Sequence, residues 1–200
     1  LSSSSAAQMC IRDRHVAYET SGNIAVLDDY IYQQMDIAAA FTHLVGGDTQ
    51  TMDAAFEKVK QIIADRKPED DEPEELLPFK GALRRAEARG ADRYLGIPED
   101  HVHFLNLPFY ETGSVKKKPL SQADIDIIVK LLREVQPHQI YAAGDLADPH
   151  GTHGVCLDAI LKAYDIVCED EWFKNCYTWW YRGCLLYTSP SPRDMRRSRM

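Results

Sequence analysis

The chain has 200 residues, with 23 Lys and Arg against 31 Asp and Glu and a formal net charge of −8. At 44% hydrophobic and 27% charged residues it suits a single globular domain. An acidic chain with no basic stripe argues against nucleic acid or an anionic membrane surface as partner, and no stretch approaches the run of about 20 apolar residues that spans a bilayer.

Both ends lack a periodic apolar pattern. MCIRDR near the start and CLLYTSPSPRD near the end resemble translated sequencing-adapter read-through, so residues 1–14 and 185–200 are expected to be artefactual or disordered tails around a domain over 15–184. The tails carry Arg12, Arg14, Arg193, Arg196, Arg197 and Arg199 against Asp13 and Asp194, which leaves the body more acidic than the whole. The start has no positive n-region and no apolar h-region, so it does not read as a secretory signal. The five cysteines are odd in number and include no C-x-x-C pair, so neither a zinc ribbon nor a disulfide framework is expected. A reducing cytoplasm is the expected location.

Residues 15–20, His-Val-Ala-Tyr-Glu-Thr, alternate and favour a strand, and Ser21-Gly22-Asn23 turns the chain at its carboxyl end. Ile24, Leu27, Ile31, Met35, Ala38 and Phe41 mark one face of a helix that stops near Gly46-Gly47. A second helix follows, capped by Asp48 to Thr51 and faced by Met52, Phe56, Val59, Ile62 and Ile63. Residues 66–78, with three prolines and six acids, read as a solvated connector. Phe79, Leu83, Ala86, Gly90 and Tyr94 define a third helix ending at Gly96. Residues 101–105 alternate as a strand and lead into a long loop, 106–118, of the length expected for a lid or a substrate wall.

Ser121 with Asp124 opens the next helix as a capping box, carried by Ile125, Ile128, Val129, Leu132 and Val135 and stopped at Pro137. Then come a strand ending at Ala143, a polar loop with Asp145, Asp148, His150 and His153, and a helix bearing Leu157, Ile160, Leu161 and Tyr164. Residues 175–181, NCYTWWY, read as a further strand. Strands alternating with helices of this length call for an α/β fold with a mostly parallel sheet and helices on both faces, a Rossmann-like three-layer arrangement. Ligands bind outside the carboxyl ends of the strands of such sheets, which makes the 144–153 loop the first candidate site. His150 and His153 lie three apart at the helix entrance, where both imidazoles can face one crevice. Two histidines at this spacing do not by themselves define a metal site, and the same residues serve as ordinary loop and cap residues.

Thr20-Ser21-Gly22, Arg84-x-x-Glu87 followed by Tyr94-Leu95-Gly96, residues 101–108, and Asp148-Pro149-His150-Gly151-Thr152-His153 together resemble the LmbE/PIG-L family of zinc-dependent N-deacetylases. More narrowly, HFLNLPFYETG with the Asp-Pro-His-Gly-Thr-His loop is similar to the deacetylase-like domain fused behind glucosamine-6-phosphate deaminase in large bacterial proteins. The resemblance implies hydrolysis of a sugar N-acetyl amide, with an amino-sugar substrate, a Zn2+ cofactor and a fused deaminase domain as partner. It implies His153 as a metal ligand, His150 as the histidine that steadies the tetrahedral intermediate, and Asp148 as its supporting carboxylate. Arg84 aligns with an arginine that faces the substrate pocket, and it could equally be a surface arginine paired with Glu87 or Glu74 on its helix. Thr20, Ser21 and Asn23 could hydrogen-bond a sugar hydroxyl or cap the helix that follows.

The chain departs from the family in two places. Gly151-Thr152 stands between the histidines where many relatives have Pro-Asp. The family's His-Pro-Asp-Asp loop, which supplies two metal ligands and the general base, is expected before His15, with the first strand. The chain by itself is therefore expected to hold zinc poorly and to be inactive. A non-catalytic sugar-phosphate-binding or regulatory domain beside a deaminase is the alternative.

Overall fold

The computed structural model describes residues 13–67, 71–114, 116–143 and 151–181. These fall into two units, one running to Pro119 and the other starting at Leu120.

In the first unit, β1 (Val16–Tyr18) pairs in parallel with β2 (Val102–Phe104), Val16 opposite Val102 and Tyr18 opposite Phe104. The ladder runs on beyond the strands, since the Leu105 and Leu107 N–H groups donate to the Tyr18 and Glu19 carbonyls at 2.9 Å each. Three helices make the crossover that a parallel pair requires: α1 (Asp28–Leu44), α2 (Thr49–Asp65) and α3 (Leu77–Tyr94). Val26, Ile31 and Met35 are buried and meet Phe56, Val59 and Ile63 of α2 and Phe79 and Leu83 of α3. The expected stripe on α1 is only half realised. Leu27 is 75% exposed because it is the extended residue that precedes the helix, and Phe41 lies in the exposed last turns. On α3 the expected Tyr94 is 92% exposed, whereas Lys80, Gly81 and Asp92 are buried.

The acidic connector is not simply solvated. Leu76 is buried, and Glu72 joins an ion cluster with Arg66, Asp28 and Lys80. Lys80 Nζ lies 2.7 Å from Glu72 Oε1 and 3.1 Å from Asp28 Oδ1, and Arg66 reaches both carboxylates from the other side. The 106–118 loop is likewise packed rather than free to open. Leu107, Phe109 and Tyr110 are buried, and the Gly113 carbonyl accepts from the Glu72 N–H at 3.0 Å.

One polar contact ties β1 to α3. Tyr18 Oη donates to Asp92 Oδ1 at 3.2 Å, and Asp92 is 3% exposed with no partner for its other oxygen among the described residues. Burial, and then the neighbouring Asp92 charge, push the Tyr18 phenol up. A raised folded value favours the neutral phenol, so its contribution is complete below the unfolded value of about 10 and is lost as pH rises through the folded one. Tyr18→Phe is expected to lower stability at neutral pH by about 1–2 kcal/mol, because Asp92 loses its donor. It should also flatten the alkaline limb, as urea titrations at about pH 7 and about pH 11 would show.

In the second unit, β3 (Gln139–Ala143) pairs in parallel with β4 (Tyr177–Tyr181), Gln139 opposite Tyr177 and Ala143 opposite Tyr181. The helix α4 (Gln122–Val135) begins with the expected capping box, Ser121 N donating to Asp124 Oδ2 at 2.9 Å, and ends at Gln136 in a left-handed conformation just before Pro137. The helix α5 (Thr152–Val167) makes the crossover from β3 to β4 and packs Leu157, Ala159, Ala163 and Val167 into the core with Ile125, Ile128 and Val129 of α4. Thr178 Oγ1 donates to Tyr164 Oη at 3.1 Å, pinning β4 to this helix. The described residues thus form an α/β structure whose strand pairs are both parallel, as the sequence led us to expect. None of their helices is long and apolar enough to cross a membrane.

Candidate functional site

The turn at the carboxyl end of β1 is a dense polar cluster. Ser21 and Asn23 are both buried, and the Glu111 carboxylate from the loop after β2 ties them together. Glu111 Oε1 accepts from the Ser21 N–H at 3.2 Å, while Oε2 accepts from Ser21 Oγ at 3.0 Å and from Asn23 Nδ2 at 3.2 Å. The Asn23 N–H donates to Ser21 Oγ at 3.4 Å. These bonds settle the turn, because a carboxylate has acceptor sites for all three donors. Asn23 Oδ1 is buried and has no hydrogen-bond donor among the described residues.

Gly22 lets the turn form. Its φ of +66° lies in the left-handed region, and a Cβ there would stand 3.3 Å from Arg84 Nε, so Arg84 lies directly over the turn. Gly22→Ala is expected to cost about 1–2 kcal/mol in backbone strain and to push Arg84 aside, read as a lowered melting temperature. Arg84 also pairs with Glu87 one turn along α3. Thr20 is half-buried at the head of the same turn.

Glu111 was not expected as a site residue. The available signal was an acid in a loop whose neighbours Leu107, Phe109 and Tyr110 are apolar, a position where a carboxylate needs partners. Lys117 extends the electrostatics of the loop. Its Nζ sits 4.2 Å from the Tyr110 ring centre, and burial pushes the ammonium down while the Glu111 charge opposes that shift.

In the second unit, His153 is half-buried in the first turn of α5, which follows Gly151 with φ +72°. Asp145, Asp148 and His150 lie outside the described residues. A catalytic zinc takes three protein ligands and keeps a fourth position open. Of the metal-loop residues, His153 alone is described, and one imidazole does not make that set.

Residues 41–164, well over half of the chain, match the family model described as PIG-L, GlcNAc-PI de-N-acetylase. Over 172 residues the chain is 46% identical to a glucosamine-6-phosphate deaminase-like protein of Bacteroides thetaiotaomicron. That alignment covers 84% of this chain and 26% of the relative, so the chain spans about a quarter of the relative's length. No solved structure matches the chain. The matched family segment contains Arg84, Glu111 and His153, and the relative's alignment extends the likeness over most of the sequence. The chain belongs to the PIG-L de-N-acetylase family.

Proposed function

We propose that residues 15–184 belong to a cytoplasmic, three-layer Rossmann-like deacetylase domain that hydrolyses the acetyl amide of an N-acetylglucosamine-type sugar. The family match over 41–164 carries this reading, since PIG-L members are deacetylase hydrolases. In this proposal the β1 turn binds the sugar. Thr20, Ser21 and Asn23 meet ring hydroxyls, with Asn23 Oδ1 as the acceptor awaiting a donor, and Arg84 covers the turn. This reading gives His150 the role of steadying the oxygen on which negative charge develops, and Asp148 that of supporting it. His153 is one ligand of the zinc, and zinc when bound polarises an amide carbonyl and activates water. The described residues do not complete its ligand set, so the rest comes from outside them.

The name of the Bacteroides relative supports a second reading, in which the domain binds an amino-sugar phosphate beside a deaminase without cleaving it. The test is to extend the source gene through the stretch before the His15 codon and assay the longer product for acetate release from N-acetylglucosamine. Release that disappears in His153→Ala is the expected result. Binding of glucosamine 6-phosphate without any acetate release would replace the first reading with the second.

A further inference from the structure

The last turns of α3 and the strand β2 border a cavity of about 150 Å³. One wall is apolar, made by Ile97, Val102 and the Phe104 ring, and the other carries Arg89, Asp92, Arg93 and Glu99. Periodicity explains both walls. Arg89 and Arg93 are one turn apart on α3 and share a helix face, while Val102 and Phe104 are alternate residues of β2 and share a sheet face. The cavity is separate from the β1 turn, since Arg93 stands roughly 13 Å further along α3 than Arg84.

The polar wall holds groups of both signs that lack partners. Asp92 is 3% exposed and gives one oxygen to the Tyr18 hydroxyl, and its Oδ2 has no donor among the described residues. Neither Arg89 nor Arg93 forms an ion pair among the described residues, although two acids line the same cavity; Arg89 instead lies over the Phe104 ring at 5.6 Å from its centre. We propose that the cavity binds a small zwitterion, an amino-sugar phosphate. Its phosphate meets Arg89 and Arg93, its ammonium meets Asp92 Oδ2 and Glu99, and its ring lies against Phe104 and Val102.

Volume and charge together select this class. A cavity of about this size holds a single six-membered ring, which excludes a disaccharide or a nucleotide from its interior. Arg89 and Arg93 are exposed, so the phosphate stays at the mouth, where two guanidinium forks can share its oxygens. A simple anion would leave Asp92 Oδ2 unsatisfied and would be opposed by Glu99, and a simple cation would be opposed by both arginines. A ligand with both groups answers all four side chains. Asp92 would then hold the ligand with one oxygen and Tyr18 of β1 with the other. The inference is independent of the deacetylase reading, because it uses no residue of the β1 turn or of the 144–153 loop.

The experiment is isothermal titration calorimetry of the 200-residue protein at low salt with glucosamine 6-phosphate. Glucose 6-phosphate, which lacks the ammonium, and glucosamine, which lacks the phosphate, are each expected to bind about tenfold more weakly. Arg93→Gln should weaken glucosamine 6-phosphate about tenfold and leave glucosamine unchanged, and Glu99→Gln should narrow the preference over glucose 6-phosphate. Both side chains are exposed, and circular dichroism and the melting temperature confirm that each variant is folded. Absence of binding, equal affinity for the three compounds, or unchanged affinity in folded Arg93→Gln would overturn the proposal. Loss of binding in Ser21→Ala with full binding in Arg93→Gln would do so as well, by moving the ligand to the β1 turn. Acetate release by the longer product is a separate measurement, so a failed deacetylase reading and a failed cavity are told apart.

Discussion

Replacing Lys80 with Met is expected to lower the stability of the chain by about 3 kcal/mol, the largest effect of any single substitution considered in the first unit. Lys80 is 1% exposed, and its ammonium stands between Asp28 at the start of α1 and Glu72 in the connector. Methionine fills a similar volume, so packing is retained while the two carboxylates, both largely buried, keep only Arg66 as counter-charge. Removing one partner of a buried ionic group costs far more than the group contributes net, because the charge left behind cannot recover its water. The loss corresponds to a fall of about 10 °C in melting temperature for a unit of this size. Adding Asp28→Asn and Glu72→Gln to the Lys80→Met chain should restore part of the loss. An exposed ion pair would show neither the cost nor the rescue, and its removal would stay within about 1 kcal/mol.

Lys80 also shows what the sequence pattern can and cannot reveal. The periodicity of α4 reflects burial of Ile125, Ile128 and Val129, a signal written in residue type, whereas on α5 only Leu157 of the expected stripe is buried and Leu161 is 44% exposed, because Ala159, Ala163 and Val167 face the core instead. The Ser121–Asp124 capping box was equally legible, because it is a local device that needs only a fixed spacing. Lys80 and Asp92 are buried on the strength of partners far away in the chain, Asp28 and Glu72 for one and Tyr18 for the other. A helix pattern scores them as solvent-facing, which is why Tyr94 rather than Asp92 was expected inside. The 106–118 loop follows the same logic. Its length suggested a lid, but Leu107, Phe109 and Tyr110 anchor it and Gly113 bonds to the connector.

The candidate site was half legible for a related reason. Ser21, Asn23 and Arg84 are brought to one turn, and Glu111, the group that joins two of them, lies 88 residues from Asn23 in the chain. The cavity beside the last turns of α3 was likewise invisible, because only the fold places Arg89 and Arg93 beside Val102 and Phe104.

Glu111→Gln is the substitution expected to act most strongly on the proposed sugar site. The carboxylate accepts from the Ser21 N–H, the Ser21 hydroxyl and the Asn23 amide. An amide keeps one acceptor oxygen and puts an NH2 where the other stood, so at least one of the three donors then faces a donor. The remaining bonds also lose their charge assistance, which roughly halves their strength. Unfolding of the 200-residue chain should show a loss of about 1–2 kcal/mol from this rearrangement. If Ser21 and Asn23 hold sugar hydroxyls, a misaligned turn weakens substrate and transition state alike. KM for N-acetylglucosamine in the longer product should then rise about tenfold with kcat little changed, the signature of lost uniform binding. Stability and KM need not move together. A chain destabilised by Glu111→Gln with an unaltered KM would make the cluster a structural clasp between the β1 turn and the β2 loop, and would remove Thr20, Ser21 and Asn23 from the proposed site. Ser21→Ala separates the two further, since it deletes one hydroxyl from the carboxylate's shell while leaving its charge and the Asn23 contact in place. On the sugar-binding reading that variant, too, raises KM, and on the structural reading it lowers only the melting temperature.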